Sequence, residues 1–82
     1  MKITVKVIGR YTDIVGKSEL VLDMSDDSCI WDIINRMISL FPKFDQDKKF
    51  MMVLKNNVFA RREEKLIDGD EITLVPPVVS GG

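Results

Sequence analysis

The sequence predicts an α+β fold in which one main helix packs on one face of a mixed sheet of about four to five strands. Three observations carry this expectation. Segments near both ends alternate apolar and polar side chains with period two, a central segment has a helical period, and turn-forming residues separate them. From Lys2 to Ile8, Ile3, Val5 and Val7 fall on one side and Lys2, Thr4 and Lys6 on the other, the pattern of a half-buried strand. A turn-rich link from Gly9 to Gly16 leads into a second alternation, with Leu20, Leu22 and Met24 opposite Glu19, Val21 and Asp23. Two such strands joined by a short polar link form an N-terminal hairpin.

The period then changes. Ser25-Asp26-Asp27-Ser28 offers capping oxygens, and Asp32 places a negative charge in the first turn, where the helix dipole favours it. Ile30, Ile33, Ile34, Met37 and Leu40 form a single apolar stripe at helical spacing. Pro42 disfavours helical backbone at Phe41, so the helix ends there. Lys43 to Lys49 is polar and reads as a mobile connection. Phe50 to Leu54 is a short apolar strand, Asn56-Asn57 a turn, and Val58-Phe59-Ala60 a further short strand. Arg61 to Lys65 reads as a solvated loop. Asp68-Gly69-Asp70 is a strong turn signal before a last strand, where Ile72 and Leu74 alternate with Glu71, Thr73 and Val75. The order is β-β-α-β-β-β, and pairing of the first strand with the last in mid-sheet would make it a β-grasp. On this reading residues 1–75 form the domain and 76–82 an extended tail.

One helix covers one sheet face. Ile3, Val5, Val7, Leu20, Leu22, Ile72 and Leu74 are the inward set, and the polar residues of the same strands face water. Ile8 and Val75, with Phe59, are apolar exceptions near the departure of the tail, either isolated exposed residues or a docking patch.

Composition excludes more than it selects. The chain has 82 residues, no histidine, one cysteine, and 12 basic against 13 acidic side chains. At roughly 0.05–0.15 kcal/mol per residue its stability is about 4–12 kcal/mol, which leaves little for a deep active-site cavity. Without histidine, no Ser–His, Cys–His or His-ligated metal site forms within the chain. A single cysteine makes no internal disulfide and fits a reducing, cytoplasmic setting. Near-neutral charge gives no footprint for nucleic acid, and no apolar run approaches the ~20 residues of a membrane helix. Cys29 reads as a small residue near the helix cap and Trp31, Met37, Met51 and Met52 as core or core-edge filling rather than a cofactor box. Asp26-Asp27 and the Asp68/Asp70 pair are explained by capping and a turn rather than by a metal.

The end of the chain, Pro76-Pro77-Val78-Val79-Ser80-Gly81-Gly82, reads differently. Two prolines stiffen the departure in an extended form, and Val78 and Val79 favour extended backbone. Gly81 and Gly82 lack a β-carbon and can enter a channel too narrow for other residues. The terminal carboxylate is then the most accessible reactive group of the molecule.

The stretch from Leu66 through Asp68-Gly69-Asp70 to Pro76-Pro77, with the Gly81-Gly82 end, resembles the MoaD/ThiS-type sulfur carriers, and most closely the MoaD branch, the small subunits of molybdopterin synthase. The resemblance spans essentially the whole chain and implies a ubiquitin-like β-grasp fold. It also implies that an E1-like adenylyltransferase uses ATP to adenylate Gly82 and that a sulfur donor (a sulfurtransferase or desulfurase) converts the anhydride to a thiocarboxylate. The large synthase subunit would then receive the tail and pass the sulfur to cyclic pyranopterin monophosphate. Gly82 would carry the transferred atom, Gly81 provide clearance, and Ser80, Val79 and Val78 set reach. Ile8, Phe59, Val75, Pro76 and Pro77 would support docking. No cofactor or metal is expected to be held permanently, and the chain alone is a co-substrate rather than a complete enzyme. Carriers for thiamine or tRNA thiolation, and ubiquitin-like protein modifiers, share the same activation chemistry. Relative to the family pattern, one additional valine precedes the small residue before Gly-Gly, adding up to ~3.3–3.6 Å of reach. Tyr11-Thr12-Asp13 replaces much of a Leu-Arg-Glu-like segment, and Ile8 and Val75 stand where aromatic residues are common.

Overall fold

A computed structural model of the chain describes residues 1–77. The described elements are β1 (Lys2–Val7), α1 (Tyr11–Val15), β2 (Glu19–Asp23), α2 (Ile30–Leu40), a 3₁₀ segment (Pro42–Asp47), β3 (Met52–Lys55), β4 (Val58–Phe59) and β5 (Glu71–Val75). The strands form one sheet in the order β2-β1-β5-β3-β4. β1 and β5 are parallel and adjacent, with Val5 opposite Ile72 and Val7 opposite Leu74, while β2 and β3 flank them antiparallel. This is the β-grasp arrangement that the order of periods predicts.

Strict alternation builds the covered face. Ile3, Val5, Val7, Leu22, Val53, Ile72 and Leu74 are all buried, and Leu20 is partly so. Helix α2 lays Ile30, Ile33, Ile34 and Met37 into the same core with no exposed surface. Fully burying one such side chain contributes about 1.5–3 kcal/mol. Asp32 accepts a hydrogen bond from the Cys29 N–H at 2.8 Å, so the helix start is capped by its own first turn. The oxygens of Ser25 to Ser28 do not serve as the cap, because Cys29, not one of them, is the N-cap residue. Cys29 itself is partly buried and pairs in an isolated bridge with Lys65.

Five segments differ from the sequence expectation. The first strand stops at Val7, one residue short of Ile8. The link after it contains helix α1, closed by Gly16 in the left-handed region at φ 84°, and Tyr11 on that helix is fully buried. The stripe on α2 ends early, since Leu40 is 50% exposed and the core contact passes to Phe44. Phe44 lies in the 3₁₀ segment, so Lys43 to Lys49 is anchored rather than a loose connection. Its ring meets that of Tyr11 edge to face, with centroids 4.8 Å apart. Composition alone hides this, because one buried aromatic residue outweighs six polar neighbours. The run from Arg61 to Lys65 is likewise pinned. Arg62 donates to the carbonyls of Lys48 (3.0 Å) and Met51 (2.8 Å) and lies over the Trp31 ring at 5.3 Å.

Two turns set the sheet register. Asn56 and Asn57 adopt φ of 51° and 70°, the left-handed pair that a two-residue hairpin between β3 and β4 requires. In the Asp68-Gly69-Asp70 turn, Asp68 accepts from the Lys2 N–H (2.7 Å) and Gly69 donates to the Lys2 carbonyl (2.9 Å). The buried Asp70 carboxylate accepts from Asn56 Nδ2 (3.0 Å) and the Ile67 N–H (2.9 Å). β5 is thereby fed into the middle of the sheet from a turn fastened to both neighbours.

Phe44→Ala should cost about 3–5 kcal/mol, a large share of the total, read as a lowered midpoint in urea unfolding. The single tyrosine gives a second test. Burial, then the hydrogen bond to Asp47 and its charge, hold the Tyr11 phenol well above the usual range, against a smaller opposite effect of Arg10. An unfolded phenol ionises near pH ~10. The stabilisation is therefore complete below that pH and is lost as pH rises above it. In an alkaline titration the phenolate absorbance should emerge only together with unfolding; a separate earlier rise would contradict the burial.

Candidate functional site

Residues paired across a sheet share a face, so the register assigns the uncovered side directly. One row runs Glu19–Lys6–Thr73–Leu54–Phe59 across all five strands. The next step along β5 pairs Val75 with Met52. The β2–β1 half of this face is charged, with Lys2 and Asp23 at 2.9 Å and Lys6 and Glu71 at 3.3 Å. The hydrogen bond from Lys2, and then its charge, hold the Asp23 carboxyl below its ordinary range. The β3–β4 half is apolar. Phe59 is 72% exposed, and Leu54, Met52 and Val75 are half-buried beside it.

The sequence-predicted docking residues thus fall into a pattern that the sequence reading did not resolve. Val75 ends β5, followed by Pro76 and Pro77, both partly exposed. Phe59 lies two strands away, in the row below Val75, and Ile8 stands just beyond β1, 46% exposed, on the other side of β5. Val75 therefore lies between them, and Met52 and Leu54 carry the apolar surface from Val75 to Phe59. In sequence Phe50 to Leu54 reads as one apolar run with Met52 as core or core-edge filling, whereas the pairing turns both Met52 and Leu54 to the uncovered side. The signal was there in Met51-Met52-Val53-Leu54, where alternate members must face opposite sides. The tail residues Val78, Val79, Ser80, Gly81 and Gly82 lie outside the described residues.

The Pro76 ring lies beside Gly9, where a Cβ would stand 3.4 Å from Pro76 Cγ, in ordinary van der Waals contact, and it is the backbone of Gly9, at φ +57°, that favours glycine there. Elsewhere the surface is shallow. Hollows of about 300 and 280 Å³ lie beside α2, lined in one case by Ser25, Asp32, Asn35 and Arg36 and in the other by Ile14, Leu40 and Phe41. Among the described residues no cluster of three or more His, Cys, Asp or Glu could hold a metal, and no helix is long and apolar enough to cross a membrane. What the geometry offers is a flat, half-apolar sheet face at the point where the central strand delivers the chain to its last residues.

A mixed sheet with parallel terminal strands in the middle and one long helix across it defines a ubiquitin-like β-grasp protein. Solved structures agree. Subunit 1 of a molybdopterin converting factor, so described, from Pyrococcus furiosus superposes with a TM-score of 0.86 at 22% identity, covering 95% of this chain and 99% of that one. SAMP1 from Haloferax volcanii gives 0.82 at 24% identity over the whole of both chains. A complex of subunits 1 and 2 of the molybdopterin-converting factor from Helicobacter pylori contains a chain that matches at 0.66 and 18% identity, covering 99% of this chain and 100% of that one. Residues 5–82 match the ThiS family, and the chain belongs to it. A curated relative, the molybdopterin synthase sulfur carrier subunit of Chlamydomonas reinhardtii, is 29% identical over 84 residues, with both chains fully covered.

Because Phe59 is already exposed, Phe59→Ser should leave the unfolding free energy within about 0.5 kcal/mol of the parent. A larger loss in urea unfolding would mean that the side chain serves the fold and not a surface.

Proposed function

We propose that this chain is a sulfur carrier, the small subunit of a molybdopterin synthase, acting in a cytoplasmic setting. The observation that carries the reading is the junction at Val75. A central strand bordered by the apolar surface of Met52, Leu54 and Phe59 runs through Pro76-Pro77 to a sequence ending in Gly81-Gly82. Membership of the ThiS family and the name of the Chlamydomonas relative support the same reading.

The chemistry follows from the poor reactivity of a carboxylate. Hydroxide or oxide leaves badly, so the Gly82 carboxylate must first be joined to AMP, with pyrophosphate released from ATP. Hydrosulfide then attacks the acyl carbon and AMP departs, leaving a thiocarboxylate; where the donor holds its sulfur as a persulfide, the acyl disulfide first formed is cleaved by a thiol. Adenylation and sulfur donation belong to partner enzymes, which suits a chain without histidine. The exposed apolar half of the sheet provides area for a large subunit to bury, while the charged half gives that contact an orientation. Gly81 and Gly82 pass through a narrow channel into the partner's site, where the sulfur moves to cyclic pyranopterin monophosphate.

Incubation with ATP, an E1-like adenylating enzyme and a sulfur source should raise the intact mass by the difference between sulfur and oxygen, and deletion of Gly82 should abolish the gain. An unchanged mass with partners that modify another carrier would sink the proposal. Isopeptide adducts on lysines without sulfur transfer would instead favour a protein modifier.

A further inference from the structure

β5 is flanked by β1 on one side and β3 on the other. β1 runs parallel to β5, so its continuation through Ile8, Gly9 and Arg10 lies at the end of the sheet where β5 finishes. β3 runs antiparallel, so the segment that precedes it, Asp47 to Met51, reaches the same end. These two segments border the departure of Pro76 and Pro77, and one carboxylate joins them. Asp47 Oδ2 accepts from the Tyr11 hydroxyl at 2.8 Å and pairs with Arg10 Nη2 at 2.9 Å. The Asp47 side chain is only 16% exposed, while that of Arg10 is 49% exposed.

Both ends of this link are held. On one side, the Asp47 carbonyl accepts from the N–H groups of Phe50 (2.9 Å) and Met51 (2.8 Å), and Arg62 grips the Lys48 and Met51 carbonyls. On the other, the Gly9 carbonyl accepts from the Thr12 N–H (3.0 Å) and hydroxyl (2.8 Å). Gly9 in turn lies beside the Pro76 ring, whose Cγ and Cδ stand 3.4 and 3.9 Å from the position a Cβ would take. Tyr11 and Asp47 lie 36 positions apart in sequence, and neither segment needs the other to complete a strand. Arg10, for its part, reaches Asp47 from a half-exposed position where it buries little.

We infer that Asp47 is a positioning residue. With Arg10 and Tyr11 it straps the two flanks of β5 together, holds Gly9 in place beside the Pro76 ring, and so fixes the heading on which the chain leaves for Gly82. The inference rests on the sulfur-carrier reading for its purpose but not for its geometry. Docking uses the sheet face, whereas the strap governs delivery, so the two are separable in kinetics.

Arg10→Gln, Asp47→Asn and Arg10→Lys test it in the full-length chain. In NMR spectra the Gly9 Hα to Pro76 Hγ cross-peak should weaken in the first two and persist in Arg10→Lys, which keeps the ion pair. With the E1-like enzyme and ATP, pyrophosphate release should show kcat lowered roughly ten- to a hundredfold in the first two, the cost of a misdirected reacting group. KM for the carrier should stay within about twofold, since the docking face is intact, and Arg10→Lys should recover kcat. Arg10 is exposed enough that Arg10→Gln keeps its thermal midpoint, so that variant decides the matter if Asp47→Asn does not fold. An undiminished cross-peak in Arg10→Gln overturns the strap, and a weakened cross-peak with parental kcat overturns its role in delivery. If the parent chain is not adenylated at all, the carrier reading fails, and the cross-peak alone judges the strap.

Discussion

The parallel pairing of β1 with β5 is the constraint on which the rest of the molecule depends. It puts the first and last described strands side by side in the centre of the sheet, so each is bonded on both edges. Parallel strands need a long crossover between them, and everything from Ile8 to Asp70 is that crossover. Helix α2 lies within it and covers one face. The opposite face is left open, and on it the charged and apolar halves follow from which strands lie on which side of β5. The turn that fastens Asp68 and Gly69 to Lys2 secures the pairing at its start, and Gly9 beside the Pro76 ring marks its end.

Much of this architecture was legible because it rests on periods. The alternations around Ile3–Val7 and Ile72–Leu74 and the helical stripe Ile30–Met37 each survive into the structure, since a buried face repeats with the geometry of its element. The Asn56-Asn57 turn was legible because only a few residue types tolerate left-handed backbone. Phe44 and Tyr11 were not. Each is a single aromatic residue in a polar stretch, and a single residue has no period. Arg62 was misread for a related reason: its stem and guanidinium are held by Trp31 and two carbonyls, and those partners are remote in sequence. The candidate site divides in the same way. The Gly-Gly end and the prolines are local signals, while the surface of Met52, Leu54 and Phe59 depends on strand register, which only the assembled sheet defines.

On the proposed reading, function in such a molecule resides in placement rather than in reactive side chains. The described residues hold a flat sheet face and a stiff point of departure, and the chemistry would be performed on the terminal carboxylate by other proteins. A rigid domain suits that division, because any slack at Pro76 would be amplified at the end of the chain. The two prolines limit it from within the backbone. Gly9, beside the Pro76 ring, borders the point of departure from outside.

The central position of β5 also bears on how the protein comes into being. The last of the described strands, seated in the middle, leaves the sheet divided until it arrives: β1 has one open edge and β3 another. The contacts that close this gap span most of the chain, and such non-local pairing is slow to form. During synthesis on the ribosome the halves must wait, with apolar edges uncovered, for the final strand to emerge. A chain cut short before Glu71 would therefore lack not an ornament but the keystone, and would be left to proteases. Competence to fold therefore waits on β5, the strand that leads into Pro76 and Pro77.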